Sequence, residues 1–457
     1  MARFDRVILA VVLGLGLAIA ALSIASARFG PSVGQLTTAQ TLGGTSVNTQ
    51  IGLTFSDRMA MQSVEHGFRL TPSVPGTFNW SGNVLLFSPR HPLAYGTRYT
   101  VTVAASARDA TGRHLFRPYR GSFITQTQSL LYLGTQGRDK GRLILASVNG
   151  HRRVVGPDDG SVTGYSVSLD GSLAVYVRRG GGGQRPDEVW LLSLADGSTQ
   201  ILFRRPEWTI SQPHLSPDQQ SVVFLATNVR ICRQYYGCFR NATGPVIYLL
   251  SLRSHRATQF RSASDTPITD FIDFSPAGQL AFTDLGSALT LSDPSGKHIQ
   301  HVPNQGNSLI YVGFDPSGEK AAFVGQTPSS SGGDILVYDG GRYVDVSRGI
   351  YDSSTPAFSW DGKQVAYAAY RGERAIEPIY GINAFTFTTK RTRKLTASHR
   401  WSDWAPQWSP DGRYIAFIRS QPQESMYMGS GQIWVMKPDG SGQHALGGAG
   451  SEIHWVS

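Results

Sequence analysis

The chain has 457 residues and a formal net charge of +10, from 42 Lys plus Arg against 32 Asp plus Glu. Its length holds two or three domains, each able to bury its own core. The 51 Gly, 24 Pro and 11% aromatic content argue against a helical protein and for many short strands, so the expected class is all-β.

The first element is the exception. Arg3 and Arg6 precede VILAVVLGLGLAIAALSIAS, residues 7–26, where Ser23 and Ser26 are the only polar side chains. The run exceeds the roughly 7–15 apolar residues of a cleaved signal core and approaches the roughly 20 that span a bilayer. Residues 1–32 are therefore expected to form a signal anchor, that is a transmembrane helix and linker, with the basic flank in the cytoplasm and the remainder exported. Ala25-Ser26-Ala27 also fits a cleavage site, which would give a secreted protein. Export follows from both readings.

Residues 33–127 alternate apolar and polar: Ile51, Leu53 and Phe55; Phe68 and Leu70; Phe78 and Trp80; Tyr99, Val101 and Val103; then Phe123. Period two means strands with one buried face, and TPSVPG, SGN, SPRHP and DATGR supply turns, so a small β-sandwich is expected. The stretches IGLTFSDRMAMQSV, PLAYGTRYTVTV and RDATGRHLFRPYRGSFIT, in that order, resemble the bacterial Ig-like domain of S-layer and other surface proteins. That resemblance implies a spacer or adhesion module without catalytic residues.

From residue 128 to 457 one corner keeps returning: SLDGSLAVYV, SPDQQSVVFL, SPAGQLAF, DPSGEKAAFV, SWDGKQVAYA and SPDGRYIAF. Aligned on the corner glycine, the positions are 171, 219 (a Gln), 278, 318, 362 and 412, spaced 48, 59, 40, 44 and 50 residues apart. Such periods match one four-stranded propeller blade. Proline presets a type I turn, aspartate tolerates its next position and glycine takes the left-handed residue that follows. Residues 130–156 supply three strands without an inner one, and the terminal EIHWVS reads as an inner strand without a corner. If the last strand completes the first blade, the ring closes with seven blades; six is the alternative. The repeats resemble the TolB-like propeller repeat, and the resemblance extends over most of this region. TolB carries a different amino-terminal domain, so its specific role is not implied.

In an up-and-down blade the tight turns gather on one side of the disc, while second-to-third-strand loops and blade links gather on the other. That loop face carries the expected binding residues: Arg178, Arg179, Arg233, Tyr235, Tyr236, Arg371, Arg400, Trp401 and Trp404, since arginine and aromatics dominate binding hot spots. The plain alternative is a set of ordinary solvated loops, because almost all 42 basic residues of the chain are arginine. Cys232 and Cys238 close a disulfide or remain two free thiols in a surface loop.

No H-E-x-x-H occurs. Gly180–Gly183 lacks a following Lys-Ser/Thr, so it reads as a loop and not a phosphate cradle. His298 and His301 are too few and wrongly spaced for a metal site, and no cofactor is expected. Asp265, Asp270, Asp352 and Asp403, just before inner strands, are the carboxylates an enzyme would use. The expected function is a non-enzymatic, membrane-anchored propeller that binds an envelope protein or anionic wall polymer and no nucleic acid. The alternative is a propeller-type polysaccharide- or lactone-active enzyme.

Overall fold

The computed structural model describes residues 30–41, 44–180, 186–206, 208–228, 246–262, 268–284, 289–302, 310–325, 333–347, 353–370, 379–422 and 430–456. The apolar run 7–26 lies outside them. Among the described residues no helix is long and apolar enough to cross a membrane. The chain divides into two compact units, Met1–Gln126 and Thr127–Ser457.

In the first unit a four-stranded sheet runs in the order Val33–Thr37, Ile51–Phe55, Val84–Pro89, Gly76–Ser81. A three-stranded sheet has the order Phe68–Thr71, Arg98–Val103, Tyr119–Ile124. Alternation sends Ile51, Leu53, Phe55, Phe68, Leu70, Leu85, Phe87, Tyr99, Val101 and Val103 into one core, with Phe78, Trp80 and Phe123 packed partly buried against it. One element has no counterpart in the sequence reading: a short helix, Met61–Gly67, whose buried residue is Val64. A single apolar contact gives no periodic signal for so short a helix to show.

The second unit is built of antiparallel sheets. Five have four strands each, in simple chain order, spanning 162–204, 208–259, 268–302, 310–345 and 353–394. A sixth has seven strands and contains the thirteen-residue strand His444–Val456. The early part of this strand pairs with Gly431–Met436 and its end pairs with Ser129–Gly134, Ser129 lying opposite Val456. One long strand thus serves two four-stranded groups, and the C-terminal residues complete the sheet begun by Ser129–Gly134, Leu143–Ser147 and Arg152–Val155.

The first strands of successive sheets pack on one another around a ring. Val162–Val167 meets Trp208–Leu215, and contact passes on through Ile268–Phe274, Ile310–Phe314, Ser353–Phe358 and Ser402–Trp408 to His444–Val456, which returns to Val162–Val167. The second strands are covered on both faces, which explains why LAVYV, VVFLA, VAYAA and IAFI read as unbroken apolar runs. The core accordingly lies between neighbouring sheets, as in the cluster joining Val175, Val177 and Val189 to Phe224 and Leu250.

The recurrent corner is a closed hydrogen-bond circuit. Ser168, Ser216, Ser359 and Ser409 each donate a hydroxyl to the aspartate two residues on, at 2.6–2.9 Å. The same oxygen accepts the backbone N–H five residues on, at 2.9 Å in every case. Gly171, Gly362 and Gly412 take φ of +70°, +66° and +68°, and Gln219 is forced to +57° at the equivalent place. At 315 the partners are exchanged: Asp315 accepts the Lys320 N–H at 2.7 Å while Ser317 donates to it at 2.6 Å. DPSG and SPDG therefore make the same corner, because one carboxylate and one hydroxyl suffice in either order.

Candidate functional site

Strand direction separates the two rims of the second unit. The 216–220 corner sits where Ser221 pairs with Ser251, and Ala226 pairs with Val246 at the other end of the same strands. The strand ends at Asn228 and Val246 therefore lie on the rim opposite the corner. Cys232, Arg233, Tyr235, Tyr236 and Cys238 fall between them in sequence and lie outside the described residues, as does Arg371.

Of the expected binding residues that are described, Arg178 ends the Leu173–Arg178 strand. It donates to Ser161 Oγ at 3.0 Å, pairs with Asp159, and lies 5.4 Å from the centre of the Trp190 ring. Arg179 beside it is exposed and forms no ion pair among the described residues. Arg400 is exposed and lies 5.4 Å over Trp401; the Ser398 hydroxyl holds both residues by accepting their backbone N–H groups at 3.1 and 2.9 Å. Sequence reasoning missed a third pair on the same rim, Arg205 at 5.1 Å over Trp208. The signal was present in RRPEW, an arginine three residues before a tryptophan on a blade link.

Trp404 is placed differently. It belongs to the Ser402–Trp408 strand, is half-buried, and packs against two core clusters between sheets, so its ring serves packing and not the loop rim. Its neighbour Asp403 is buried in a two-pronged ion pair with Arg419, Nε–Oδ1 2.6 Å and Nη2–Oδ2 2.9 Å. That guanidinium lies 4.3 Å over Trp434. Both carboxylate oxygens of Asp403 are thus engaged by one guanidinium. Asp265, Asp352 and the side chain of Asp270 lie outside the described residues.

A second constellation, absent from the sequence reading, sits where the first strands converge. His214 Nδ1 and Asp273 Oδ1 are 2.9 Å apart. Crowding pulls the His214 pKa down, yet the facing carboxylate overcomes this and leaves it above its ordinary value. Crowding acts upward on Asp273, and the His214 imidazole with the Phe274 N–H brings it below the usual carboxylate range. Both remain open to solvent, their side chains 21% and 50% exposed. His454, edge-on to the Tyr165 ring with centroids 5.2 Å apart, is pushed down to about 4 by loss of hydration, which the attraction of Asp273 only partly opposes. Crowding by the surrounding strands raises Glu452, although the residue is exposed. The Tyr165 hydroxyl bonds to Leu131 O at 2.6 Å and to Glu452 O.

His298 and His301 do not converge. His298 Nδ1 contacts Asp293 Oδ2 at 2.7 Å, and His301 Nδ1 faces Thr290 Oγ1 at 3.1 Å. Among the described residues no group of three or more His, Cys, Asp or Glu is arranged to hold a metal ion.

Fold and site together define an all-β protein in which an Ig-like sandwich precedes a propeller-like unit. Residues 28–125 match the bacterial Ig-like domain family. No curated protein matches the chain. Among solved structures, TolB from Acinetobacter baumannii is similar at 14% identity and a TM-score of 0.42, covering 85% of this chain and 83% of that one. Oligogalacturonate lyase from Vibrio parahaemolyticus is similar at 14% identity and 0.46, covering 71% and 95%. Acylaminoacyl peptidase from Pyrococcus horikoshii is similar at 9% and 0.48, covering 77% and 50%. The neighbours thus include TolB and two kinds of enzyme.

Proposed function

We propose that this protein is an exported, membrane-anchored binding scaffold without catalytic activity, whose propeller holds an envelope protein or an anionic wall polymer through its loop rim. The reading takes the ring as seven-bladed: five four-stranded sheets, plus a seven-stranded sheet counted as two blades that share the His444–Val456 strand. The observation that carries it is the gathering of three arginine–tryptophan pairs, Arg178–Trp190, Arg205–Trp208 and Arg400–Trp401, on one rim. At Arg205 and Arg400 the guanidinium is held over an indole while keeping outward donors for an acidic partner, whereas Arg178 is already paired with Asp159.

The test is affinity capture from intact envelopes with full-length protein. Combined Arg205→Ala, Arg400→Ala and Trp401→Ala substitution should lower recovery of the bound component at least tenfold. Recovery equal to wild type removes the rim as the site. Amino-terminal sequencing of the same material tests the anchor: a start at Met1 supports it, and a start after Ala27 makes the protein secreted.

The axial cluster favours a second reading, a polysaccharide- or lactone-active enzyme, because several shifted titratable groups in one place are a common mark of catalysis. That reading requires turnover on a glycan and lactone panel that disappears in Asp273→Asn. Absence of turnover counts against it.

A further inference from the structure

The three-stranded sheet of the Ig-like unit presents an outer face with an unusual composition. Register sets Arg69 opposite Thr102 and Thr102 opposite Arg120; the next outward row is Thr71, Thr100 and Ser122, and Arg98 then faces Ile124. The intervening Phe68, Leu70, Tyr99, Val101 and Val103 point into the core. The outer face therefore carries three guanidinium groups, four hydroxyls and no carboxylate. Arg69, Arg98 and Arg120 are exposed, and none forms an ion pair among the described residues. Arg113 in the same unit differs, being paired with Asp109 and Asp57.

The face is partly preorganised. Arg69 Nη1 donates to His66 O at 2.8 Å and Phe68 O at 2.7 Å, which pins its guanidinium beside the end of the Met61–Gly67 helix. Arg69 and Arg120 stand two strands apart, about 10 Å, with the Thr102 hydroxyl between them. Next to this row opens a cleft of about 640 Å³ whose lining includes Ser63, His66, Arg69, Thr102, Tyr119 and Arg120. Its size falls within the range of ligand pockets.

We propose that this face and its cleft bind an anionic glycan, a chain of sugar or polyol units bearing carboxylate or phosphate groups. Guanidinium forks take the anions, and the threonine and serine ladder exchanges hydrogen bonds with hydroxyl groups. Ile124 is the only exposed large apolar residue on the face, too little for a lipid-inserting surface or the apolar centre of a protein interface. His66 and Tyr119 are the two rings at its edge, whereas nucleic-acid strands need a series of stacking platforms. The site is independent of the propeller rim and stands or falls separately from it.

The test measures binding of full-length protein to immobilised polygalacturonate, to poly(glycerol phosphate), to uncharged dextran, and to phosphatidylglycerol vesicles. Binding to one or both anionic polymers, at least tenfold tighter than to dextran and weakened by salt, is expected; the two polymers tell carboxylate from phosphate recognition. Arg120→Gln, which breaks no hydrogen bond among the described residues, should weaken polymer binding about tenfold. The Arg69→Gln, Arg98→Gln, Arg120→Gln triple should abolish it in protein that also carries Arg205→Ala and Arg400→Ala, and Arg413→Gln at a corner of the second unit should leave it unchanged. Polymer binding that survives Arg120→Gln intact, equal binding to dextran, or binding to vesicles alone would overturn the proposal.

Discussion

The two rims of the propeller-like unit spend their polar groups in opposite ways. At the corners the serine, the aspartate and the turn backbone answer one another: the Ser409 hydroxyl serves Asp411 and the Tyr414 N–H, while Asp411 also accepts the Arg413 N–H at 3.0 Å. On the loop rim Arg179, Arg205 and Arg400 are exposed, and the last two rest on indoles. The difference separates a rim that specifies the fold from one free to recognise something else.

The largest expected effect lies under the loop rim. Asp403→Ala strands the Arg419 charge between Trp434 and Phe417 and should cost about 3–5 kcal/mol in denaturant unfolding, the usual penalty for half a buried ion pair. A loss near zero would mean that the pair is solvated and that Asp403 belongs with the free groups of the rim.

The axis of the ring comes next. Unfolded His454 protonates near 6.5, while in the fold it resists protonation until about 4. A depressed histidine contributes stability that is present above 6.5 and lost as the pH falls toward 4. His214 runs the other way: its raised value gives stability present below 6.5 and lost as the pH climbs through its folded value. His454→Gln should therefore flatten the acid limb of the stability curve by about 2 kcal/mol and leave the alkaline limb alone. An unchanged acid limb would show that His454 is freely hydrated.

Corner substitutions should be smaller. Ser409→Ala leaves the Tyr414 N–H without its side-chain acceptor and should cost about 1–2 kcal/mol. Gln219→Gly relieves a left-handed glutamine and should stabilise by up to about 1 kcal/mol, checked by thermal unfolding. Destabilisation by that change would assign Gln219 a contact that outweighs its strain.

The corner was legible because its chemistry is local. Six residues carry the turn, and a Ser/Asp exchange such as that at 315 and 317 keeps the pattern readable. The alternation of the Ig-like strands was legible for a similar reason, since burial of one face writes period two directly into the sequence. The axial cluster was hidden. His214 and Asp273 belong to different blades, and only their shared place, two residues before Ser216 and Ser275, links them. The corresponding residues elsewhere are Ser166, Gly313, Ala357 and Gln407, so no motif repeats. At Gly313 a Cβ would meet Pro356 O at 2.7 Å, so that part of the ring is filled by backbone where the other holds ionisable groups. Trp404 misled for the opposite reason: a tryptophan on a link resembles a rim anchor until its packing between sheets is seen.

Segregation of recognition to the loop rim is tested most directly by a photocrosslinking residue placed singly at positions 179, 205 and 400 on that rim, and at 169 and 360 among the corners, in cells with an intact envelope. Leu169 and Trp360 are 52% and 40% exposed, which makes the corner rim a fair competitor. Adducts from 179, 205 and 400 with none from 169 and 360 are predicted. Adducts from the corner positions alone would contradict the account.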